Sequence, residues 1–243
     1  MKPTYRQTFT LTDMDVDCFC KMKLSTLLTC AQEVAGRHSA LLGADYSTLA
    51  EKGLFWAVSR HRVQITRLPR LGETITVETW PMPTTRVAYP RATVAYDEKG
   101  DVLFKSVAIW VLMDTESRAM VLPAKSGVGV PGIVRGIEGA MPASVSVKDA
   151  NRRASRTVGY SELDRNGHMN NTYYLNWVQD LLPSEFHAQH RLRAFHICYL
   201  AEGREGQQMD LLWTLSPEAV LSVEGKTGGE DVHRVFAVTA EYD

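Results

Sequence analysis

An internal repeat limits the folds open to this chain more than any other feature of its sequence. At an offset of 147 residues, DVDCFCKMKLSTLLTCAQEV (residues 15–34) aligns without a gap on ELDRNGHMNNTYYLNWVQDL (residues 162–181), which places Asp17 on Asp164. Two further matches follow in the same order at slightly shorter offsets: residues 70–80 with 204–214, and residues 106–114 with 235–243. Three ordered matches indicate a duplicated unit, so one architecture has to serve both halves.

Each half contains the same series of predicted elements: a short strand, one long helix and several further strands. Apolar residues at helical spacing predict the helices: Leu24, Leu27, Leu28, Ala31 and Ala35 in the first half, and Tyr174, Trp177, Val178, Leu181 and Leu182 in the second. Runs rich in β-branched and aromatic residues follow each helix. Turn-forming stretches such as DEKGD (residues 97–101) and GKTGGED (residues 225–231) favour hairpins, so we expect mostly antiparallel sheets.

The boundary between the halves is expected where glycines and prolines interrupt every period, after residue 122. We predict a first unit over residues 1–123, a linker over residues 124–155 and a second unit over residues 156–243. Basic residues at the end of this linker fit either a partner surface or a solvated segment.

Composition excludes several classes of function. A formal net charge of -1 gives no basic excess of the kind that nucleic-acid-binding domains carry. No run of 18 apolar residues predicts a membrane span. The four cysteines have neither metal-site spacing nor the density of a secreted disulfide scaffold, so we expect a cytoplasmic protein. Because the sequence has no phosphate loop, metal cluster or nucleophile elbow, no cofactor is expected.

The stretch before the second helix carries Asp164, Asn166 and His168 at alternate positions. In an extended strand Asp164 and His168 would lie about 13 Å apart, too far to touch one reacting atom. Gly167 permits a turn that could bring Asn166 and His168 together. A base, an amide and the free N–H groups of a helix start would suit hydrolysis of an acyl compound.

A purely structural role for the same stretch is equally compatible with the spacing. Asp164 could shape the turn, Asn170 or Asn171 could cap the helix, and His168 could be an ordinary surface histidine. The repeat favours chemistry, because Phe19 and Lys21 stand in the first half where Asn166 and His168 stand in the second. The first half is then available for another task, most simply holding an apolar group.

LDRNGHMNNTYYLNWVQDLLP (residues 163–183) closely resembles the signature of the plant-type and bacterial acyl-acyl-carrier-protein thioesterases. The Asp-x-Asn-x-His-x-Asn-Asn core of that family is matched by Asp164, Asn166, His168, Asn170 and Asn171, and a Glu in a Tyr-x-x-Glu context is matched by Glu202. The resemblance implies an α+β fold, a tandem double hot-dog in which two curved antiparallel sheets are each wrapped around a long helix. Many plant members carry a Cys directly after this Glu. Here that position is Gly203, which excludes a cysteine nucleophile there.

The activity implied by the resemblance is hydrolysis of a fatty acyl thioester by water. Glu202 and His168 would orient and deprotonate the water, and either of them could be the base. Asp164 would fix the loop or the histidine, and Asn166 with helix-start amides would steady the thioester oxygen. The residues expected to bind the substrate are Asn170, Asn171, Leu24, Leu28, Trp56, Val58 and Ile109, although plain core is the alternative for the apolar ones.

The implied partners are a fatty acyl chain and the acidic acyl carrier protein, docking transiently on a basic patch. Candidates for this patch are Arg60, His61, Arg62, Arg67, Arg70, Arg191 and Arg193. The chain itself is expected to be a monomer or a homodimer. Two alternatives stay open: a hot-dog thioesterase that acts on acyl- or aryl-coenzyme A, and a non-catalytic acyl-binding module.

Overall fold

The computed structural model describes residues 3–135, 137, 141–228 and 232–243. The chain divides into two compact units, Met1–Pro142 and Ala143–Asp243. The strands are β1 (Tyr5–Thr10), β2 (Leu54–Ile65), β3 (Thr74–Pro81), β4 (Tyr89–Tyr96), β5 (Val102–Asp114), β6 (Met120–Val121), β7 (Arg152–Thr157), β8 (Leu192–Tyr199), β9 (Gln208–Leu215), β10 (Val220–Thr227) and β11 (Arg234–Tyr242). The helices are α1 (Leu24–Leu41), α2 (Tyr46–Ala50), α3 (Pro123–Ser126), α4 (Tyr173–Gln179) and α5 (Ser184–Gln189).

The first unit is an antiparallel sheet with one long helix. Its strands follow the order β1-β3-β4-β5-β2, and β6 pairs with β5. Helix α1 has 18 residues and packs against β1 and β3. The predicted apolar stripe is what this helix buries, since Leu27 and Leu28 are fully inaccessible.

The second unit repeats this topology. Its strands follow the order β7-β9-β10-β11-β8, with antiparallel neighbours throughout. Strands β1 and β7 occupy the same place in their sheets and are related by the offset of 147 residues found in the sequence. The identical strand order supports the duplication and confirms the prediction of antiparallel sheets.

The helix of the second unit is shorter than expected. Helix α4 has seven residues and ends at Gln179, and the six-residue helix α5 begins at Ser184. Pro183 lies between them and stands at the position of Gly36 in α1. Proline lacks the N–H that would continue the helical hydrogen bonds and disfavours helical geometry in the preceding residue. The predicted apolar stripe included Leu181 and Leu182, which lie between Gln179 and this proline, and periodicity alone therefore predicted a longer helix.

Two residues within the segment predicted as a linker are hydrogen-bonded to the sheets of their own units. Trp80 Nε1 donates to the carbonyl oxygen of Arg135 at 3.0 Å, and Val145 N donates to Cys198 Sγ at 3.3 Å. Strand β7 begins at Arg152, inside the predicted linker. Residues 136 and 138–140 of this segment, and 229–231 of the second predicted turn, lie outside the described residues.

The DEKGD turn joins β4 to β5 as predicted. Asp97 N donates to the Asp101 carbonyl oxygen at 3.0 Å, and Gly100 has a φ of +88°. Within the described ranges, none of the helices combines the length and the apolar composition that crossing a bilayer requires.

Candidate active site

A tight turn holds Asp164 and His168 together at the entrance to α4. The backbone N–H of Asp164 donates to the carbonyl oxygen of His168 at 2.8 Å, and Gly167 adopts a φ of +75° within the turn. The Asp164 carboxylate oxygen Oδ1 accepts from the backbone N–H groups of Asn166 and His168, at 2.7 and 3.3 Å. Asp164 therefore shapes the turn through backbone contacts, as an Asx-type acceptor does.

The first unit contains the same turn with different side chains. Asp17 Oδ1 accepts from the backbone N–H groups of Phe19 and Lys21, both at 2.9 Å. Cys20 stands at the position of Gly167 and also has a positive φ, of 58°. The aspartate is thus common to both turns, whereas an imidazole is not needed to form one.

A short antiparallel bridge brings Glu202 to the histidine. Met169 N donates to the Gly203 carbonyl oxygen at 2.8 Å, and His168 is paired with Arg204. Residues two apart on an extended chain share a face, so Glu202 lies diagonally across from His168. The Nε2 atom of His168 is 3.2 Å from Oε2 of Glu202, and the two side chains are 18% and 36% exposed. This pair is partly buried yet open to water.

The three asparagines of the motif have different surroundings. Asn166 is exposed, and its Nδ2 donates to Asp164 Oδ2 at 3.3 Å. Asn170 Oδ1 accepts from Thr172 N and Oγ1, both at 3.0 Å, and the Asn170 carbonyl oxygen accepts from Tyr173 N at 3.0 Å. The carbonyl oxygen of Asn171 accepts from the Tyr199 hydroxyl at 3.0 Å. The N-cap of the helix is Thr172, so the prediction that Asn170 or Asn171 caps it was wrong, and Asn170 instead stabilises the turn before the helix. The N–H groups of Thr172 and Tyr173, which were expected to bind the thioester oxygen, already donate to Asn170.

Glu162 was not predicted as part of this region, although it holds the turn against the helix. Its Oε2 accepts from Gly159 N at 2.9 Å and its Oε1 accepts from Trp177 Nε1 at 2.7 Å. The repeat contained the signal, because Asp15 at the matching position accepts from Thr12 N in the same way, at 2.9 Å. A matched acidic residue in both halves indicates a shared structural task.

The apolar residues expected to hold the acyl chain divide between the two faces of the first sheet. Leu24 and Leu28 are buried on α1, at 2% and 0% exposure. Trp56 is paired with Leu112 and Val58 with Trp110, so these side chains lie on one face. Ile109 is adjacent to Trp110 on the same strand and therefore points to the opposite face, which corrects its grouping with the others.

The predicted basic patch also needs correction at His61, which is only 4% exposed and lies in the interior of the first unit. Three of the arginines are in ion pairs. Arg67 contacts Glu73 and Asp97, and both Arg191 and Arg193 contact Asp243.

Comparisons with known proteins identify the family. The family model described as the acyl-ACP thioesterase N-terminal domain matches residues 2–124, and that of the acyl-ACP thioesterase C-terminal domain matches residues 146–236. The chain belongs to the acyl-ACP thioesterase family. It is 22% identical over 258 residues to oleoyl-acyl carrier protein thioesterase 1, chloroplastic, of Arabidopsis thaliana, covering 95% of this chain and 69% of that relative. To the dodecanoyl-[acyl-carrier-protein] hydrolase, chloroplastic, of Umbellularia californica it is 26% identical, covering 87% of this chain and 59% of the relative.

Solved acyl-ACP thioesterase structures share the fold. The structure from Bacteroides thetaiotaomicron has a TM-score of 0.90 at 24% identity and covers 99% of this chain and 98% of its own. The 12:0-ACP thioesterase from Umbellularia californica has a TM-score of 0.84 at 22% identity, with coverage of 100% and 98%. These similarities confirm the predicted α+β double hot-dog fold. The chain spans only about half to two thirds of the length of the curated plant relatives.

Gly203, directly after Glu202, is closely surrounded by other side chains. A Cβ on Gly203 would lie 2.7 Å from Met209 Cε and 2.9 Å from the Tyr174 hydroxyl. Tyr174 is buried and packs against Tyr199 and Phe236. Burial raises the pKa of Tyr174, a backbone hydrogen bond with Gly203 acts in the opposite direction, and nearby carboxylates including that of Glu202 raise it further. The phenol is therefore neutral and fills the space beside Gly203.

Proposed function

We propose that this protein hydrolyses the thioester of fatty acyl-acyl-carrier protein to free fatty acid and carrier protein, which ends fatty acid synthesis. The observation that carries this proposal is the contact between His168 Nε2 and Glu202 Oε2, at 3.2 Å in a partly exposed position. Family membership supports the substrate class.

The proposed chemistry is a direct attack by water. The water oxygen forms a bond to the thioester carbonyl carbon, its proton passes to the His168–Glu202 pair, and the carbon–sulfur bond then breaks. The departing sulfur takes up a proton and leaves as the thiol of the carrier. Histidine is the side chain most often used as a general acid or base, and the carboxylate can orient both the imidazole and the water.

Asn166 is the proposed donor to the thioester oxygen as it gains negative charge. An amide nitrogen carries two hydrogens, and Asp164 accepts one of them. The other would then stabilise the developing oxyanion, a contribution typically worth about 100-fold to 1,000-fold in rate. Asp164 acts as a positioning residue, because it holds the backbone of Asn166 and His168.

Docking of the acidic carrier is proposed to involve two arginines, one in the turn of His168 and one in the bridge of Glu202. Arg165 lies within the turn and Arg204 is paired with His168, and both are exposed. Opposite charge accelerates encounter in a salt-dependent way. Arg165→Glu and Arg204→Glu should therefore lower kcat/KM on the carrier-bound substrate and weaken its dependence on ionic strength. An unchanged salt dependence would place docking elsewhere.

The location proposed from the sequence is the cytoplasm. All four cysteines are free thiols, and Cys18 and Cys20 are exposed, as expected in a reducing compartment. Thiol labelling of protein isolated without reductant checks this, because a disulfide formed by Cys18 or Cys20 would contradict it.

The decisive experiment compares one fatty acyl chain on two carriers. Purified full-length protein is given the acyl-carrier-protein thioester and the coenzyme A thioester, and release of free thiol is followed. We expect a higher kcat/KM with the carrier protein, and a loss of about 100-fold or more in Glu202→Gln. Glu205→Gln makes the same chemical change at an exposed residue three positions along and should retain activity.

Three outcomes would contradict the proposal. Faster turnover of the coenzyme A substrate would favour the alternative thioesterase class. No thiol release from folded protein would favour a non-catalytic acyl-binding module. Wild-type rates in Glu202→Gln would remove the site assignment.

A further inference from the structure

The face of the first sheet that α1 covers contains several buried polar side chains. His61 and Arg91 are both paired with Ala108, and Ser106 is paired with Thr93, so these side chains share one face. The polar residues that are less than 9% exposed on this face and on α1 are His38, His61, Thr79, Arg91, Thr93 and Ser106.

Four members of this polar set, His38, Thr79, Arg91 and Thr93, form a connected network. The Arg91 guanidinium contacts His38 Nδ1 at 3.2 Å and donates to Ser39 Oγ at 3.3 Å and to Thr79 Oγ1 at 3.4 Å. Thr93 Oγ1 donates to Thr79 Oγ1 at 3.2 Å. These bonds tie α1 to the sheet and account for the burial of the arginine.

The remaining two members, His61 and Ser106, lie outside this network, as does the neighbouring Trp110. His61 Nε2, Ser106 Oγ and Trp110 Nε1 are buried and have no hydrogen-bond partner within the part of the chain that the structure describes. All three side chains lie on the same face, because Ser106 and Trp110 alternate along β5 on either side of Ala108, the partner of His61. Burial lowers the pKa of His61 to about 4, so the ring is neutral at physiological pH. Unpaired buried polar groups are rare in native proteins, and each calls for an explanation.

We propose that this row, His61, Ser106 and Trp110, binds an acyl chain that carries an oxygen substituent, a hydroxyl or keto group. The inference rests on the proposed function and deepens it by naming the substrate class. Trp110 Nε1 can only donate, whereas the serine hydroxyl and a neutral imidazole nitrogen can take either role. The ligand must therefore offer an acceptor oxygen.

The apolar surroundings favour a chain-borne oxygen over a free anion. Trp56, Val58 and Leu112 lie on the same face of the sheet, and Trp56, Trp110, Tyr89 and Leu112 belong to one packed cluster. An unsubstituted chain beside the row would leave three buried polar atoms without hydrogen bonds, which is unfavourable. A site built to bind a hydroxyl discriminates strongly against the analogue that lacks it.

The test measures binding and does not depend on hydrolysis. Straight-chain free fatty acids of one length, the plain acid and a series with a single hydroxyl moved along the chain, compete with a fluorescent fatty acid for the full-length protein. We expect one hydroxyl position to bind at least about tenfold tighter than the plain acid. Ser106→Ala and His61→Phe should each reduce this preference to about one. The matched control is Ser59→Ala, which should retain it, because the Ser59 hydroxyl already donates to the Ile109 carbonyl oxygen at 3.1 Å.

Several results would overturn the inference. The inference fails if the plain acid and every isomer bind equally, if the preference survives both Ser106→Ala and His61→Phe, or if no acid binds. Displacement by acetate or phosphate alone, with no gain from a chain, would identify a small-anion site and would also overturn it. If thiol release fails but the hydroxyl preference holds, the proposed hydrolysis falls and the binding site stands.

Discussion

Replacement of Asp164 separates turn formation from chemistry, because the duplication supplies a matched control in the same chain. Asp164 and Asp17 each accept from two backbone N–H groups of an equivalent turn. Changing either residue to Ala removes both acceptors. Hydrogen bonds to a charged acceptor are worth about 1.5–3 kcal/mol when protected, and both turns are partly exposed. We therefore expect each variant to lose about 1–2 kcal/mol of stability.

Activity should distinguish the two variants. Asp164→Ala releases the backbone of His168 and should lower kcat/KM by about 100-fold, in line with a misplaced acid/base group. Asp17→Ala should leave kcat/KM within about threefold of wild type, because the first turn carries Phe19 and Lys21. Urea denaturation gives the stabilities, with separate fits where the two units unfold in separate transitions. Thiol release from the acyl-carrier-protein substrate gives the rates.

The conservative variant decides between positioning and direct chemistry. Asp164→Asn retains a side-chain oxygen that can accept the two backbone bonds, so most of the stability and activity should return. If folded Asp164→Asn is as inactive as Asp164→Ala, the negative charge itself is required and the positioning role is refuted. A comparable loss of turnover in Asp17→Ala would refute the assignment of chemistry to the second unit.

Three further predictions follow from individual contacts. His168→Ala and Glu202→Gln should each reduce kcat/KM by about 100-fold or more, and the double variant should be less than about tenfold worse than either, because the two residues act as one unit. Burial raises the pKa of Glu78, but hydrogen bonds from Arg135 and Arg6 outweigh burial and lower this pKa. The contribution of Glu78 to stability is therefore present above about pH 4.5 and is lost as the pH falls through the pKa of the folded state. Glu78→Gln should reduce the loss of stability at acid pH in pH-dependent denaturation. Gly203→Ala should lower the thermal midpoint by several degrees, because the added Cβ overlaps Tyr174 and Met209, and an unchanged midpoint would show that these side chains can move aside.

The repeat made most of the fold predictable, but it did not predict which face of a strand each side chain occupies. Alternation fails as a guide in SVAIWVLM because apolar residues occupy both sides of the strand. The register of β2 against β5 also shifts between Val58 and Arg60, where Ser59 is the extra residue. A bulge of this kind leaves no clear signal in an apolar run, and Ile109 was therefore grouped with side chains on the other face.

Interior polar groups were equally hard to predict from sequence. His61 stands in SRHRVQITR among arginines, which suggested a basic surface. Period-two alternation with Val63 and Ile65, both buried, places it on the inner face of the strand instead. The alternation was present in the sequence, but the prediction gave more weight to the positive charges of the neighbouring arginines.

The two units have the same backbone geometry at this place and differ in a few side chains. The bridge that positions Glu202, from Met169 N to the Gly203 carbonyl oxygen at 2.8 Å, has a counterpart in the first unit from Met22 N to the Pro69 carbonyl oxygen, also at 2.8 Å. Leu68 precedes Pro69 as Glu202 precedes Gly203, so a leucine stands where the second unit has its carboxylate. The first unit therefore retains the turn, the bridge and the aspartate but has neither member of the proposed acid/base pair. Because the backbone geometry is the same in the two copies while the side chains differ, the fold accounts for the position of the site, and the histidine and glutamate are the side chains to which we assign the proposed chemistry.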